Sequence, residues 1–226
     1  MNALEGRQIS FSYPRHGGQA LLTNVNVYVR RGECVILRGP SGVGKSTLCH
    51  ILAGIIPRSI SGQVSGEVFF FGENLRFLSL ARVAETVGVL FQNPDSQLFF
   101  PTVEDELAFG PENLCLPRPE MDKRINEALA MVHMEEYRLV ETETLSLGER
   151  QRIALAAVLS LQPRILILDE AFSQLDSQSV SVVRDTIRAQ KELGRAIFMV
   201  ENSEEHVDLA DRIYELQDGQ VREVIS

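Results

Sequence analysis

The sequence predicts an α/β fold in which a core of parallel strands joined by helices carries an antiparallel β lobe and a helical insertion. Three observations support this prediction. Short apolar runs alternate with helical segments, as they do in parallel sheets whose strands are joined by helices. A glycine-rich turn joins one apolar run, residues 34–37, to the start of a helix. A helical stretch, residues 102–160, then separates the first strands from the last ones.

The chain before this stretch is predicted to hold strands on both sides of one helix. Residues 9–13 alternate between apolar and polar side chains, as a half-buried strand does, and a second strand is predicted at residues 25–29. Residues 67–72 follow a loop rich in glycine and serine and are assigned to the antiparallel lobe. Residues 87–90 are nearly all apolar, which is typical of a strand covered on both faces.

Two N-cap signals lie in the helical insertion, at Thr102 and Ser146. Glu149 follows Ser146 at the spacing of a capping box, so we expect its carboxylate to reach back to the N-cap. A helix N-terminus beside a glycine is also a phosphate-binding surface, so the cap and a binding role remain compatible.

Alternating strands and helices return after the insertion. Strands are predicted at residues 165–168 and 196–200, with a helix capped by Ser177 between them. A short helix from Ser203 and a hairpin that turns at residues 218–219 end the chain.

The order of these elements predicts one domain over residues 1–226. Its core comprises about residues 1–91 and 164–226, and its helical subdomain about residues 92–163.

Composition restricts the class of protein. With 226 residues, of which 44% are hydrophobic, the chain is long enough to bury a sizeable core. The formal charge of −9 argues against a nucleic-acid partner, because a protein that binds a phosphate backbone needs an excess of Lys and Arg over Asp and Glu. No apolar run is long enough to span a bilayer and no leader is evident, so we expect a cytosolic chain. Cys34, Cys49 and Cys115 form no C-x-x-C pair, and we expect reduced, mostly buried thiols.

The glycine-rich turn has the spacing G-x-x-x-x-G-K-S-T, in which backbone N–H groups cradle phosphate oxygens at a helix N-terminus. Lys45 would reach the β- and γ-phosphates, and the Ser46 hydroxyl would coordinate Mg²⁺. An ordinary βα turn would need neither side chain. We therefore predict a nucleoside triphosphate site made by Gly39, Pro40, Ser41, Gly42, Val43, Gly44, Lys45, Ser46 and Thr47.

Two carboxylates end the strand at residues 165–168. Asp169 would lie beside the phosphate loop and hold Mg²⁺. Glu170 would orient or deprotonate the water that attacks the γ-phosphate. The alternative, a solvated acidic pair at a strand end, is common in isolation but less favoured after a phosphate loop.

Taken together, these motifs resemble the ATPase subunits of ABC transporters along essentially the whole chain. The phosphate loop, the signature at residues 145–151, the Asp169-Glu170 strand end and the following loop at residues 173–176 occur in that family's order. The resemblance implies a P-loop NTPase core of the ABC ATPase type that binds ATP and Mg²⁺.

The resemblance also implies roles for single residues. It implies that Tyr13 is the aromatic residue that stacks on adenine. Without the resemblance, Tyr13 would be interpreted as an ordinary tyrosine on an edge strand. Gln92 becomes the glutamine that contacts Mg²⁺ and the attacking water. The signature and the loop that follows the strand end place Ser146, Gly148 and Asp176 at the nucleotide interface.

One segment narrows the resemblance. Residues 89–110 are similar to the ATPases of energy-coupling factor importers, which take up vitamins or nickel and cobalt ions. This similarity implies a second ATPase domain, a membrane coupling subunit and a substrate-binding membrane subunit as partners, with the chain on the inner face of the membrane. The apolar residues Leu98, Phe99 and Phe100 would dock the membrane protein there, or else pack under the helical lobe.

Three departures from the family pattern open a second hypothesis. The signature has Leu147 and Glu149 where the family usually has Gly and Gln, and Asn202 stands where it keeps a histidine near the γ-phosphate. The sequence ends at Ser226 without a pairing extension, so we expect half of a tandem ATPase or a chain that needs a partner. Alternatively, the chain is a nucleotide-dependent dimerising module whose own site is slow or inactive. A soluble ABC protein that acts on DNA or ribosomes is disfavoured by the acidic charge.

Overall fold

Two sheets and six α-helices form the described part of the chain, and the computed structural model describes residues 1–14, 20–173 and 175–224. The strands are β1 (Asn2–Ser12), β2 (Ala20–Arg30), β3 (Cys34–Arg38), β4 (Gln63–Phe70), β5 (Glu73–Asn74), β6 (Val87–Leu90), β7 (Ile165–Asp169), β8 (Ala196–Val200), β9 (Arg212–Gln217) and β10 (Gln220–Val224). The helices are α1 (Lys45–Leu52), α2 (Leu80–Thr86), α3 (Val103–Asn113), α4 (Arg118–Met131), α5 (Leu147–Ser160) and α6 (Ser177–Glu192).

The antiparallel sheet has the strand order β2-β1-β4-β5. Its first two strands are longer than the sequence predicts. Bulges explain the difference, because the β1–β2 register shifts between Gly6 and Ile9, and Gln8 and Asn24 have φ values of 50° and 52°. An extra residue in a strand interrupts the alternation of side chains, so the pattern breaks although the strand continues.

The second sheet has the order β10-β9-β3-β8-β7-β6, and all its pairs are parallel except β9–β10. Every residue of β7 and β8 is buried, which is why both read as apolar runs. The carboxyl ends of β3, β6, β7 and β8 lie at one edge of this sheet. The segments that follow these strands therefore meet there.

Three helices, α3, α4 and α5, lie between β6 and β7. The capping predictions at Thr102 and Ser146 are confirmed, and Ser146 forms the complete capping box with Glu149. The prediction that Ser177 caps a helix is wrong by one residue. Asp176 is the N-cap of α6, and its carboxylate accepts the Ser179 N–H at 2.8 Å.

Buried apolar side chains form two clusters, one on each face of the parallel sheet. The first cluster joins it to α1 and the antiparallel sheet, and the second joins it to α3–α6. Cys34 and Cys49 are buried, whereas Cys115 is exposed, and all three are free. Within the described ranges, no helix has the length and hydropathy required to cross a bilayer.

Candidate functional site

The phosphate loop connects β3 to α1. Gly42 and Gly44 have φ values of 78° and 110°, a left-handed region that favours glycine. Lys45 is the first residue of α1 and is only 5% exposed. Its Nζ donates to the carbonyl oxygens of Gly39 and Pro40 at 2.7 and 2.9 Å. The ammonium group is thus held across the loop, with its charge directed into the turn.

A cleft of about 660 Å³ opens over this loop. Tyr13 forms part of its wall, where its hydroxyl lies 3.1 Å from Thr47 Oγ1 and its ring meets Phe11 edge-on at 4.6 Å between centroids. Sequence reasoning missed Ala20 and Leu21, which carry no motif signal. The lining residues are Tyr13, Ala20, Leu21, Ser41, Gly42, Gly44, Lys45, Ser46, Thr47, Gln92 and Glu170.

Asp169 is the last residue of β7 and is 4% exposed. Its Oδ1 is buried and has no hydrogen-bond partner in the part of the chain that the structure describes. A buried carboxylate oxygen normally has a partner, so this atom fits a cation ligand. The same residues contain no group of three or more His, Cys, Asp or Glu side chains suited to a metal. A Mg²⁺ site completed by substrate phosphates and by the Ser46 hydroxyl needs no such group.

Glu170 brings three predicted catalytic residues together. Gln92 Nε2 donates to its Oε2 at 2.5 Å, and Asn202 Nδ2 donates to its Oε1 at 3.3 Å. Glu170 has a φ of 50°, which is uncommon for a residue other than glycine. Burial raises the pKa of the Glu170 carboxyl, and Asp169 adds to the rise, whereas Lys45 opposes it. The Glu170 carboxylate is thus held between two side-chain amides.

Glu201 directly follows β8 and precedes Asn202. It is 7% exposed, and its Oε1 accepts the backbone N–H groups of Asn202 and Ser203, both at 2.8 Å. Its carboxylate therefore shapes the loop after β8 and presents Asn202 to Glu170.

The signature residues lie outside this cleft. The Ser146 hydroxyl donates to Glu149 Oε2 at 2.7 Å, and this bond lowers the pKa of the Glu149 carboxyl. Gly148 lies against the start of α6, where an added Cβ would be 3.4 Å from Asp176 Oδ2. Ser146, Gly148 and Asp176 thus form a second group, built from the N-termini of α5 and α6. The predicted binding residues therefore fall into two separate sets.

Comparison with known proteins identifies the family. The profile described as ABC transporter matches residues 22–173. A putative ABC transporter ATP-binding protein of Methanosarcina acetivorans is 42% identical over 220 residues, which are 96% of this chain and 34% of that protein. The energy-coupling factor transporter ATP-binding protein EcfA of Methanocaldococcus jannaschii is 38% identical over 227 residues, which are 98% of this chain and 78% of EcfA.

A solved structure is also similar. The cbiO1 protein from Clostridium perfringens, part of the ABC transporter complex cbiONQ, superposes with a TM-score of 0.84 at 32% identity. The match covers 98% of this chain and 87% of cbiO1. This chain spans about a third of the Methanosarcina relative's length and most of the other two proteins.

Proposed function

This chain belongs to the ABC transporter family and is an ATPase, and we propose that it powers an energy-coupling factor type importer for a vitamin or a transition-metal ion. The observation that carries the mechanism is the separation of the phosphate-loop cleft from Ser146 and Gly148. A nucleotide on this chain's loop needs a second ATPase domain to supply the signature. Two such domains would close head to tail over two ATP molecules.

Within this proposal, Lys45 binds the β- and γ-phosphates and Tyr13 stacks on adenine. Ser46, Gln92 and Asp169 would hold Mg²⁺, which would neutralise charge at the phosphates when bound. Glu170 accepts the proton of the attacking water, Gln92 orients that water, and Asn202 donates a hydrogen bond at the γ-phosphate. Closing and hydrolysis then drive the membrane coupling subunit on the inner face of the membrane, while a substrate-binding membrane subunit selects the cargo.

Tyr13→Ala is expected to weaken ATP binding by about 1 to 3 kcal/mol, the usual cost of losing a base-stacking aromatic. Tyr13→Phe keeps the ring and loses only the hydroxyl near Thr47, so it serves as the matched control. Isothermal titration of both variants with ATP measures the difference. Equal affinities for the alanine variant and the original chain would remove Tyr13 from the adenine site.

The docking surface proposed for the membrane subunit is centred on Phe99. Phe99 is 75% exposed, and its backbone is fixed because the Phe99 and Phe100 N–H groups both donate to Glu106 Oε2, at 2.7 and 2.9 Å. Phe100 instead packs on Phe109, with 5.1 Å between ring centroids. The alternative of packing under the helical lobe therefore suits Phe100 better than Phe99.

Phe99→Ser is expected to abolish membrane association while leaving the melting temperature unchanged, because an exposed ring contributes to binding rather than to folding. The matched control is Phe77→Ser, which removes another exposed aromatic, 83% accessible, from the 3-10 turn Leu75–Phe77. The chain is co-expressed with its candidate membrane subunits, and the fraction that sediments with membranes is measured. Equal sedimentation of both variants and the original chain would exclude Phe99 as the docking residue. Failure of the original chain to associate with any candidate membrane subunit would contradict the proposed importer role.

The second candidate function, a dimerising module with a slow site, is favoured by Asn202. An amide donates a hydrogen bond to Glu170 or to phosphate, but unlike an imidazole it neither gains nor loses a proton near neutral pH and carries no positive charge. ATP would then bind well and be cleaved slowly at this site, with the partner's site performing most of the turnover.

Asn202→His is expected to raise single-turnover hydrolysis at this chain's phosphate loop. A well-placed transition-state contact is worth about 10²- to 10³-fold in rate, and the gain should be smaller here because Leu147 and Glu149 also depart from the family pattern. The measurement uses a dimer whose other site is disabled by its own Glu-to-Gln change. Equal rates for both residues would exclude the slow-site hypothesis.

A further inference from the structure

An ion pair links the loop that carries Gln92 to the signature helix. Arg150 Nη1 lies 3.1 Å from Asp95 Oδ1, and both side chains are partly exposed. Asp95 belongs to the 3-10 turn Pro94–Ser96, and Arg150 to the first turns of α5. Arg150 lies within the signature segment, residues 145–151, but neither residue has been given a role in binding or catalysis above.

The Gln92 side of this link is short and stiff. Only Asn93 and Pro94 separate Gln92 from Asp95. The Asn93 side chain accepts the Asp95 N–H at 3.0 Å, and the Pro94 ring fixes its own φ. A displacement of Asp95 is therefore transmitted to Gln92, whose amide contacts Glu170.

The helix side is equally rigid. Arg150 N–H donates to the Ser146 carbonyl at 2.9 Å, and the capping box of Ser146 and Glu149 holds the same turn. Arg150 thus moves together with the signature residues as one body.

A second connection between the two elements is weak. Gln151 Nε2 reaches the Phe91 carbonyl at 3.5 Å, and Gln151 Oε1 is buried without a hydrogen-bond partner among the described residues. A cleft of about 450 Å³, lined in part by Gln92, Asp95 and Arg150, separates the loop from the helix.

The Gln92 loop is also held to β6, because Gln97 Oε1 accepts the Phe91 N–H at 3.0 Å and Gln97 Nε2 donates to the Val89 carbonyl at 3.1 Å. Of the polar side-chain contacts that the described residues make between the loop and α5, the ion pair is the shortest.

We propose that Arg150 and Asp95 are positioning residues whose ion pair fixes the Gln92 loop to the signature helix and so sets the contact between Gln92 and Glu170. The inference rests on the proposed roles of Gln92 and Glu170 in hydrolysis. Partly exposed ion pairs add little to the free energy of unfolding. We therefore expect the loss of this pair to change the position of the Gln92 loop and not the stability of the fold.

The test breaks the pair from each side with Asp95→Asn and Arg150→Gln, and re-forms it with the double variant Asp95→Arg and Arg150→Asp. Amide hydrogen exchange over residues 91–98 is expected to rise about two- to fivefold in each single variant, as an exposed pair allows, and to return in the double variant. Single-turnover cleavage is expected to slow by a similar factor and to recover, with ATP affinity unchanged. Lys123→Gln, which breaks the Lys123–Glu127 pair of 3.9 Å on α4, is the control and is expected to change neither.

Amide hydrogen exchange tests the positioning role of the ion pair, and ATP cleavage tests the proposed function, so the two can fail independently. Normal exchange in both single variants, or a double variant that does not restore it, overturns the positioning role. An original chain that fails to cleave ATP with any partner counts against the proposed function, and the exchange data still decide the role of the pair. Unchanged exchange of the β7 amides shows that each variant is folded.

Discussion

Lys45→Ala is expected to lower ATP affinity by about 2 to 5 kcal/mol, or roughly thirtyfold to several thousandfold, the range for truncating one partner of a buried charge pair. The reason lies in the position of the ammonium, which is 5% exposed and held by the Gly39 and Pro40 carbonyls at the base of the cleft. Its charge is thus directed into a partly desolvated turn, where we propose that the phosphates bind. Fluorescence titration with a labelled ATP measures the loss.

The control for Lys45→Ala is Lys123→Ala, which removes an exposed ammonium from α4. This variant is expected to bind ATP normally. Thermal melts of both variants show whether the phosphate loop change has also disturbed the fold. Full ATP affinity in a folded Lys45→Ala variant would contradict nucleotide binding at this loop.

Glu170→Gln is expected to retain ATP binding and to lower turnover by about 10²- to 10⁴-fold, the usual contribution of a general base. The isosteric amide keeps the size of the side chain but can no longer accept a proton. Steady-state phosphate release and ATP titration on the same preparation separate the two effects. Turnover comparable to that of the original chain would exclude Glu170 as the base.

The pH dependence of turnover gives a related check on Glu170. Because burial and Asp169 raise the pKa of its carboxyl above 4.5, the carboxylate is lost on acidification at a higher pH than in a free glutamate. Turnover should fall on the acidic side through this raised pKa. The free energy of unfolding changes with pH in the opposite direction to turnover. Because the folded chain favours the protonated form of Glu170, the carboxyl does not destabilise the fold below pH 4.5, and it lowers the free energy of unfolding as the pH rises through the raised pKa. Glu170→Gln should therefore raise the melting temperature of the nucleotide-free chain at pH 7.

Local chemistry explains what the sequence could predict. The phosphate loop is specified by glycines at positions of positive φ and by Lys45, and all of these lie within one short segment. The capping box at Ser146 is a relation between residues three apart. Asp169 and Glu170 are identified by a buried strand that ends beside them. Each of these signals is contained in a single stretch of chain.

Relations between distant segments could not be predicted in this way. The contacts of Gln92 and Asn202 with Glu170 depend on the order of β6, β7 and β8 in the sheet. The bulges of β1 and β2 hid strand residues because they interrupt the alternation on which strand prediction depends. Asp176 and Ser177 are both good N-caps, and only the bond from Ser179 N–H to the Asp176 carboxylate distinguishes them.

The head-to-tail dimer is the centre of this account, and the size of the Glu170→Gln chain with its candidate ATPase partner tests it most directly. Analytical ultracentrifugation compares three samples. The first contains no nucleotide, the second contains ATP and Mg²⁺, and the third contains ATP and Mg²⁺ with a chain that carries Lys45→Ala as well as Glu170→Gln. We predict a dimer of ATPase domains only in the second case, because bound ATP joins one phosphate loop to the other domain's signature and cannot be cleaved. Monomers in all three cases, with every candidate partner and with a second copy of this chain, would contradict the mechanism.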